Sequence, residues 1–191
     1  FTGTMTSKNA ADTNNGGNGI SLGGIAGTLA FNAESCTNSG AITLHGLFNN
    51  GGSNTSATAL GTTYPSVGGC IGYAGTKSES IYDCVNEGKI DADIYGANSN
   101  GSTSCVAGVI GHSMSAVLVV NKCVNNGQVT AKSQTKAFHC AGVMAYQKGE
   151  IKESVNNASV TGEHDVMNNT AGASACTFNI GGIVGYNCLN V

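Results

Sequence analysis

Short apolar segments that follow a pair of small residues recur along the chain. Each copy has Gly or Ala, then Gly, then two apolar residues, then Gly or Ala. The copies begin at Gly23, Gly68, Ala107, Ala141 and Gly181. A unit that recurs in this way predicts a repeat array, in which each unit is one supersecondary element and neighbouring units bury a common core.

A second pattern, Cys/Ser-x-Asn-x-Gly/Ala-x-Ile/Val, follows four of these segments, at 36–43, 84–91, 123–130 and 154–161. In a strand, alternate residues share a face, so Cys84, Asn86, Gly88 and Ile90 are predicted to point inward. The residues between them are mostly polar. The pattern therefore predicts a short strand with one buried face in each repeat.

Stacking the repeats would align equivalent side chains in columns. One column contains Cys36, Cys84, Cys123 and Ser154. A second column contains Asn38, Asn86, Asn125 and Asn156. A buried amide is costly unless it is paired, and amides about 4.8 Å apart can pair along the stacking axis. We therefore predict that the two columns form a structural ladder.

Composition supports an all-β array. Glycine is abundant, at 29 of 191 residues, and only 10% of residues are charged. Gly and Asn favour turns, while Val, Ile, Thr and Tyr favour short strands, which is typical of a solenoid, sandwich or propeller. We predict a single repeat domain over 1–191. Its repeat cores are 23–43, 68–91, 107–130, 141–163 and 181–191, with a partial repeat at 1–6 and inserted loops at 44–67, 92–106 and 162–180.

The two ends of the chain are complementary in phase. Phe1 begins in the middle of a repeat, and Val191 ends before the second pattern appears. Two interpretations follow. The chain is a segment of a longer repeat protein, which we favour, or subunits stack head to tail so that one completes the coil of the next.

Charge and cysteine content limit the partners and the location. The net charge is −3, the lysines are scattered and Trp is absent, so nucleic-acid binding is not expected. No apolar run reaches the roughly 20 residues of a membrane span. The chain starts at Phe1 without a charged and then apolar leader, so any signal peptide or anchor is expected to have been removed or to lie outside this segment. Eight cysteines without a C-x-x-C pair predict an extracellular or cell-surface location. Candidate glycosylation sequons, which agree with that location, lie at Asn54, Asn100, Asn157 and Asn168.

Residues 181–187, taken with 149–162, resemble the GLUG repeat of bacterial-type cell-surface proteins, including adhesins. The likeness covers the repeat cores and not the inserts. It implies a right-handed parallel β-solenoid, here of about four and a half repeats. It also implies a surface or secreted role, and it brings no catalytic residue.

Candidate catalytic and metal-binding groups are few. The nearest carboxylates are Asp91 with Asp93, or Glu163 with Asp165 beside His164. Both groups are expected at the ends of repeat strands beside polar loops, as ordinary solvated loop residues and not as catalytic ones. The remaining histidines, His45, His112 and His139, also lack zinc-site spacing. No acidic loop of calcium-binding spacing is present. No cofactor or metal is predicted.

The cysteines leave two interpretations open. Aligned cysteines such as Cys84 and Cys123 could be stacked free thiols in a tight core. Alternatively, disulfides could join the two halves of a repeat. The candidate pairs are Cys70 with Cys84, Cys105 with Cys123, and Cys176 with Cys188. Connectivity does not follow from the sequence alone.

Tyrosines recur at one position of the first pattern, as Tyr73, Tyr146 and Tyr186, and His112 takes that position in the third copy. They could form an aromatic contact stripe for a glycan or a neighbouring molecule. We favour the simpler interpretation that these surface rings cover the bend.

The expected function is that of a non-catalytic structural or adhesive module of an extracellular surface protein or filament. Its partners would be copies of itself, neighbouring repeats of the same chain, glycans or host surface proteins. Two alternatives are a head-to-tail self-assembling filament subunit and a carbohydrate-active β-helix enzyme. Uninterrupted stacking between subunits would support the first, and a groove lined by carboxylates would support the second.

Overall fold

A computed structural model describes residues 4–9, 20–47, 65–95, 103–135, 137–165 and 177–188. For residues 4–9, Leu47 and Tyr95 the description covers the backbone only. The described residues form 23 strands and no helix. Every paired strand lies parallel to its neighbour, which confirms the predicted parallel β-solenoid.

The strands follow one another in coils of five. The chain enters the stack with one strand, β1 (Thr4–Asn9). The first coil contains β2 (Ser21–Gly23), β3 (Ala26–Leu29), β4 (Ala33–Glu34), β5 (Thr37–Asn38) and β6 (Ala41–Leu47). The second contains β7 (Ser66–Gly68), β8 (Ile71–Ala74), β9 (Ser80–Tyr82), β10 (Val85–Asn86) and β11 (Ile90–Tyr95). The third contains β12 (Thr103–Ala107), β13 (Ile110–Ser113), β14 (Val119–Asn121), β15 (Val124–Asn125) and β16 (Val129–Ser133).

The fourth coil repeats the same order of five strands. It contains β17 (Ala137–Ala141), β18 (Met144–Gln147), β19 (Glu150–Lys152), β20 (Val155–Asn156) and β21 (Val160–His164). Two strands, β22 (Thr177–Gly181) and β23 (Val184–Asn187), lie above it. Equivalent strands of successive coils are therefore direct neighbours throughout the stack.

Five sheets run along the stack. Sheet A has the order β1-β6-β11-β16-β21, sheet B β2-β7-β12-β17-β22, sheet C β3-β8-β13-β18-β23, sheet D β4-β9-β14-β19 and sheet E β5-β10-β15-β20. The pairing aligns equivalent residues, so that Ile42, Ile90, Val129 and Val160 are consecutive partners in sheet A. Because side chains in a strand alternate between faces, this alignment places each repeated residue type in one column.

The coils are longer than the predicted repeat cores. A strand of sheet B leads into each Gly/Ala-Gly pair and ends on its first residue, and most of β12 and most of β22 fall in segments that were predicted to be inserts. Strand β6 likewise continues beyond residue 43 to Leu47. The sheet B strands were missed because aligned positions in them carry different residues, as in Ser66, Cys105 and His139.

The interior is divided into two main apolar clusters. One lies between sheets A and B and contains residues such as Leu44, Ile90 and Val106. The other lies among sheets C, D and E and contains residues such as Ile110 and Val120. Sheet B is buried on both faces, because Cys105 and Ala107 pack in a third, smaller cluster on its other side.

The last glycine of the first pattern explains how sheets B and C approach each other. A Cβ atom on Gly72 would lie 2.7 Å from the backbone nitrogen of Leu22, and one on Gly111 would lie 2.8 Å from that of Val67. In the second and third coils the sheet C strand therefore packs directly on the sheet B backbone of the preceding coil, while the fourth coil accommodates the small side chain of Ala145 at the same position.

Each complete coil makes the same left-handed turn before the second pattern. Four non-glycine residues have positive φ, between 45° and 55°: Ser35, Asp83, Lys122 and Glu153. Such a conformation costs about 1–2 kcal/mol for a residue with a Cβ atom. The turn is therefore imposed by the stacked coils and not by residue preference.

Candidate functional site

The asparagines of the second pattern form a continuous hydrogen-bonded column. Nδ2 of Asn38 donates to Oδ1 of Asn86 at 2.8 Å. Asn86 donates in the same way to Asn125, and Asn125 to Asn156, also at 2.8 Å. The first three side chains are completely buried. The structure thus brings together all four asparagines of the proposed ladder.

Each ladder amide also closes its own turn. Its Nδ2 group donates to the carbonyl oxygen two residues further along the chain, at 2.8 to 2.9 Å. An interior asparagine such as Asn86 therefore uses both of its N–H donors and accepts a bond from the coil below. This satisfies groups that would be expensive to bury unpaired.

The glycine before the apolar pair makes room for the ladder. A Cβ atom on Gly69 would overlap the side chain of Asn86, and one on Gly108 would overlap that of Asn125. By contrast, a Cβ atom on Gly182 would meet nothing within 4 Å. The two repeated patterns are therefore parts of one unit, because the glycine of one leaves the space that the asparagine of the other fills.

The cysteines of the second pattern form a thiol column beside the ladder. Cys84 and Cys123 are buried, and Cys36 is half-buried. Hydrogen bonding to the Cys123 side chain is the main cause that raises the pKa of Cys84, and the same bond lowers the pKa of Cys123. In the fourth coil Ser154 continues the column, and its Oγ accepts a bond from the backbone N–H of Cys123 at 3.1 Å.

Two of the three candidate disulfide pairs have both cysteines among the described residues, and neither of these two pairs is formed. Cys70, Cys84, Cys105 and Cys123 are all free thiols, so the structure corrects the pairs Cys70–Cys84 and Cys105–Cys123. Cys105 and Cys123 belong to different apolar clusters: Cys105 packs beside sheet B, and Cys123 packs among sheets C, D and E. The thiol of Cys70 donates instead to the carbonyl of Val85 at 3.3 Å. The third pair lies partly outside the described residues, since Cys176 is not among them.

The recurring tyrosines align with His112 in one ring column of sheet C. The ring of His112 lies 5.5 Å from that of Tyr73 and 4.7 Å from that of Tyr146, and Tyr186 follows at 5.3 Å from Tyr146. His112 is only 3% exposed, so its description as a surface ring is wrong. Burial and the nearby His139 lower the pKa of His112 to about 4.

The tyrosines of this column are not equally accessible. Tyr73 and Tyr146 are half-buried, while Tyr186 is exposed at the end of the described stack. His139 from sheet B stacks on Tyr186 with the ring centroids 4.9 Å apart. The rings therefore pack mainly against one another, and only the edge of the column remains open to a contact.

Sheet B contains a Cys-His-Asn row that the sequence did not indicate. Cys105, His139 and Asn179 are aligned partners in neighbouring strands, and Asn179 Nδ2 lies 3.0 Å from His139 Nδ1. The same residue types serve nucleophilic catalysis elsewhere. Here complete burial raises the pKa of Cys105, and burial lowers that of His139 to about 4. Burial and the raised pKa keep the Cys105 thiol protonated, and the described residues of its apolar cluster include no second cysteine with which it could react.

The candidate carboxylates lie on the outer face of sheet A and take part in ion pairs. Asp91 lies 3.2 Å from the Lys89 ammonium, and Asp93 lies 3.7 Å from His45. Both aspartates remain partly open to solvent. They have the surroundings of solvated surface groups and not those of a buried acid–base pair.

The second candidate carboxylate group lies at the end of β21. Glu163 accepts from Lys132 at 2.9 Å, which joins two coils. Nε2 of His164 lies 2.6 Å from the carbonyl oxygen of Thr135. The hydroxyl groups of Ser104, Ser133 and Thr135 form a buried cluster beside this carbonyl, with their oxygens 2.7 to 2.8 Å apart. These bonds fix the connection between β16 and β17.

Of the four sequons, only the one at Asn157 lies within the described residues; those at Asn54, Asn100 and Asn168 lie outside them. Asn157 is exposed, and its Nδ2 donates to Oδ1 of Asn126 at 2.8 Å. Asn126 donates in turn to Glu87 at 2.9 Å. A short outer ladder therefore runs parallel to the buried one.

The described residues offer neither a metal site nor a membrane-spanning helix. Across the described ranges, no group of three or more His, Cys, Asp or Glu side chains is arranged to hold a metal ion. The same residues contain no helix long and apolar enough to cross a membrane. In comparisons with protein-family models, curated proteins and solved structures, the chain has no match. The resemblance to GLUG repeats therefore stays a prediction.

Proposed function

We propose that the chain is a non-catalytic structural and adhesive module of an extracellular surface protein or filament. The observation that carries this proposal is the unbroken ladder of Asn38, Asn86, Asn125 and Asn156 through four aligned coils. A column in which every member bonds to the next resists bending and sliding between coils. That property suits a stiff spacer.

The repeat architecture supports a mechanical role. In every sheet, the strand of one coil pairs only with the equivalent strands of the coils directly below and above it. Repeat arrays of this kind lengthen by adding units, by about 4.8 Å per coil here, and present extended side faces. A module of this form would hold neighbouring parts of a surface protein at a set distance.

The chemistry of the candidate groups supports a role without catalysis. The aspartates and glutamate on sheet A are paired with Lys or His near the surface. The Cys-His-Asn row lies inside the protein, where the pKa of Cys105 is raised. Neither place combines a reactive group with a substrate groove.

The outer face of sheet A is our proposed adhesive surface. Two columns of polar residues face outward there. The first consists of Thr43, Asp91, Thr130 and Thr161, and the second consists of His45, Asp93, Lys132 and Glu163. Hydroxyl and charged groups at regular spacing can bind polar ligands such as glycans through hydrogen bonds.

Electron microscopy of the purified chain, with its intact mass, tests the structural part. Short discrete rods are expected. Long fibres built from a 19.1 kDa chain would favour the head-to-tail filament subunit instead. Compact particles without a long axis would contradict both.

A printed glycan array tests the adhesive part. Binding is expected for the native chain and reduced binding for Asp93→Ala with Lys132→Ala, while Val117→Ser, an exposed residue outside sheet A, serves as a matched control. Loss of binding only in the control would contradict this surface. Release of unsaturated or reducing ends from polysaccharides, abolished by Asp91→Asn, would establish the enzyme alternative.

A further inference from the structure

The thiol column has a chemistry that the structural role does not use. Its backbone is aligned, because Val85 N–H donates to the carbonyl of Cys36 at 2.8 Å and Val124 N–H donates to that of Cys84 at 3.0 Å. The three cysteines therefore occupy equivalent places in successive coils. Neighbouring strands lie about 4.8 Å apart, and disulfides span Cα separations of about 4.4 to 6.8 Å. Adjacent members are close enough to be joined.

Access differs along the column. Cys84 and Cys123 are completely buried, whereas Cys36 is half-buried at the first coil. The Cys36 thiol donates to the carbonyl of Glu34 at 3.3 Å, and the Cys84 thiol donates to the equivalent carbonyl of Tyr82 at 3.5 Å. Burial first, and the neighbouring Cys84 second, raise the pKa of Cys36. A small oxidant can therefore reach Cys36 first, and the nearest thiol that can respond is Cys84.

We propose that Cys36 and Cys84 form a dithiol site that a low-molecular-weight disulfide, such as oxidised glutathione, converts into a cross-coil disulfide. The Cys36 thiolate attacks one sulfur of oxidised glutathione, forms a mixed disulfide and releases one glutathione thiolate. The Cys84 thiolate then attacks the Cys36 sulfur and releases the second. Two protein thiols are oxidised, one glutathione disulfide is reduced to two thiols, and both protein protons pass to solvent or to the leaving thiolates.

Other cysteines are poorer partners for this reaction. Cys70 is completely buried, so oxidant cannot reach it first, and its thiol donates to the carbonyl of Val85 at 3.3 Å. Cys123 is separated from Cys36 by Cys84, so it cannot reach the mixed disulfide directly. Cys123→Ser is a conservative change, because Ser154 already occupies the same column position in the next coil. This gives a variant in which the site is kept and the rest of the column is altered.

The experiment treats the folded native chain with oxidised glutathione, traps free thiols with N-ethylmaleimide and maps linked peptides by mass spectrometry. The Cys36–Cys84 link should exceed any other by about tenfold, and its formation should accelerate up to about tenfold from pH 7 to pH 8 because the pKa of Cys36 is raised. Cys36→Ser should abolish it and Cys123→Ser should retain it.

Several results would overturn the site. A dominant Cys70–Cys84 link would do so, as would glutathione that remains on Cys36 without release, or thiols that all stay free. A Cys84–Cys123 link that still forms in Cys36→Ser would show that oxidant reaches the interior without Cys36. The control is oxidation of the chain in denaturant. Because the coils are then unstacked, the Cys36–Cys84 link should no longer be preferred over the others.

Discussion

The third and fourth coils carry the same repeated patterns but differ in burial. Asn125 and Val120 in the third coil are completely buried, while their counterparts Asn156 and Ile151 in the fourth are half-buried. Val155, which follows the fourth turn, is 44% exposed. The backbone geometry is the same in both, as the in-register pairing shows. Sequence thus sets the shape of a coil, and the coil above it sets how strongly each residue contributes to stability.

The largest expected difference concerns the glycine that makes room for the ladder. Gly108→Ala should lower the free energy of unfolding by about 4 kcal/mol, because its Cβ would overlap both the Asn125 side chain and the backbone of the next coil. Gly182→Ala, at the same pattern position with open space, should change it by less than about 0.5 kcal/mol. Urea denaturation measures both, and equal losses would contradict this account.

Removal of a ladder amide should have the next largest effect. Asn125→Ala should cost about 3 kcal/mol, because the amide of Asn86 loses its acceptor, Asn156 loses its donor, and the Gly127 carbonyl is left buried and unpaired. Asn156→Ala should cost about 1 kcal/mol, since that residue is half-buried and closes the described ladder. Thermal or urea unfolding of the two variants compares them, and a smaller loss for Asn125 would contradict the ladder.

Acid should weaken the ring column. The pKa of His112 is lowered to about 4 in the folded state, whereas an unfolded histidine titrates near 6.5. The unfolded state therefore binds more protons between these values, so stability falls as the pH falls from about 6.5 to about 4 and levels off below. Between pH 7 and pH 5 the loss from His112 should be about 2 kcal/mol.

His112→Tyr is the variant that tests this effect, because the aligned residues of the neighbouring coils, Tyr73 and Tyr146, are already tyrosines. Its stability should depend less on pH over the same range. His139 faces the same ring column, and its pKa is also lowered to about 4. The variant should therefore keep the part of the pH dependence of stability that comes from His139. Unfolding curves at several pH values provide the measurement, and an unchanged pH profile in the variant would contradict the assignment.

The smallest expected effect concerns the left-handed turn. Glu153 has φ of 45°, so Glu153→Gly should remove strain and raise the free energy of unfolding by about 0.5 kcal/mol. Lys152→Gly, at a neighbouring exposed strand position, should instead be mildly destabilising because glycine weakens strands. Two losses of equal size would show that the turn is not strained.

Features that repeat in every coil could be predicted from the sequence, and features that differ between coils could not. The inward face of the second pattern and the alignment of its asparagines depend on strand alternation and an in-frame repeat, both of which are visible in the sequence. The burial of His112 depends on sheet B residues such as His139, which carry no repeated pattern. The sequence left stacked thiols and disulfides such as Cys105–Cys123 both open, because it does not show that these two residues pack in different apolar clusters.

The polar residues on the outer face of sheet A were also only partly predictable from the sequence. Asp91 and Asp93 were expected to be solvated loop residues, but they lie within β11, where they alternate with buried residues. The exposure was predicted and the strand was not. Their ion pairs with Lys89 and His45 were not foreseen, since one of them, Asp93 with His45, joins separate coils. Contacts between columns of unlike residues become visible only when the coils are stacked.

The central claim is that one buried amide column joins the coils, and side-chain hydrogen exchange measured by NMR tests it most directly. The Nδ2 protons of Asn38, Asn86 and Asn125 should exchange about a thousandfold more slowly than those of the exposed Asn126 and Asn157, because exchange would require the coils to separate. Equal exchange rates at buried and exposed asparagines would contradict the account.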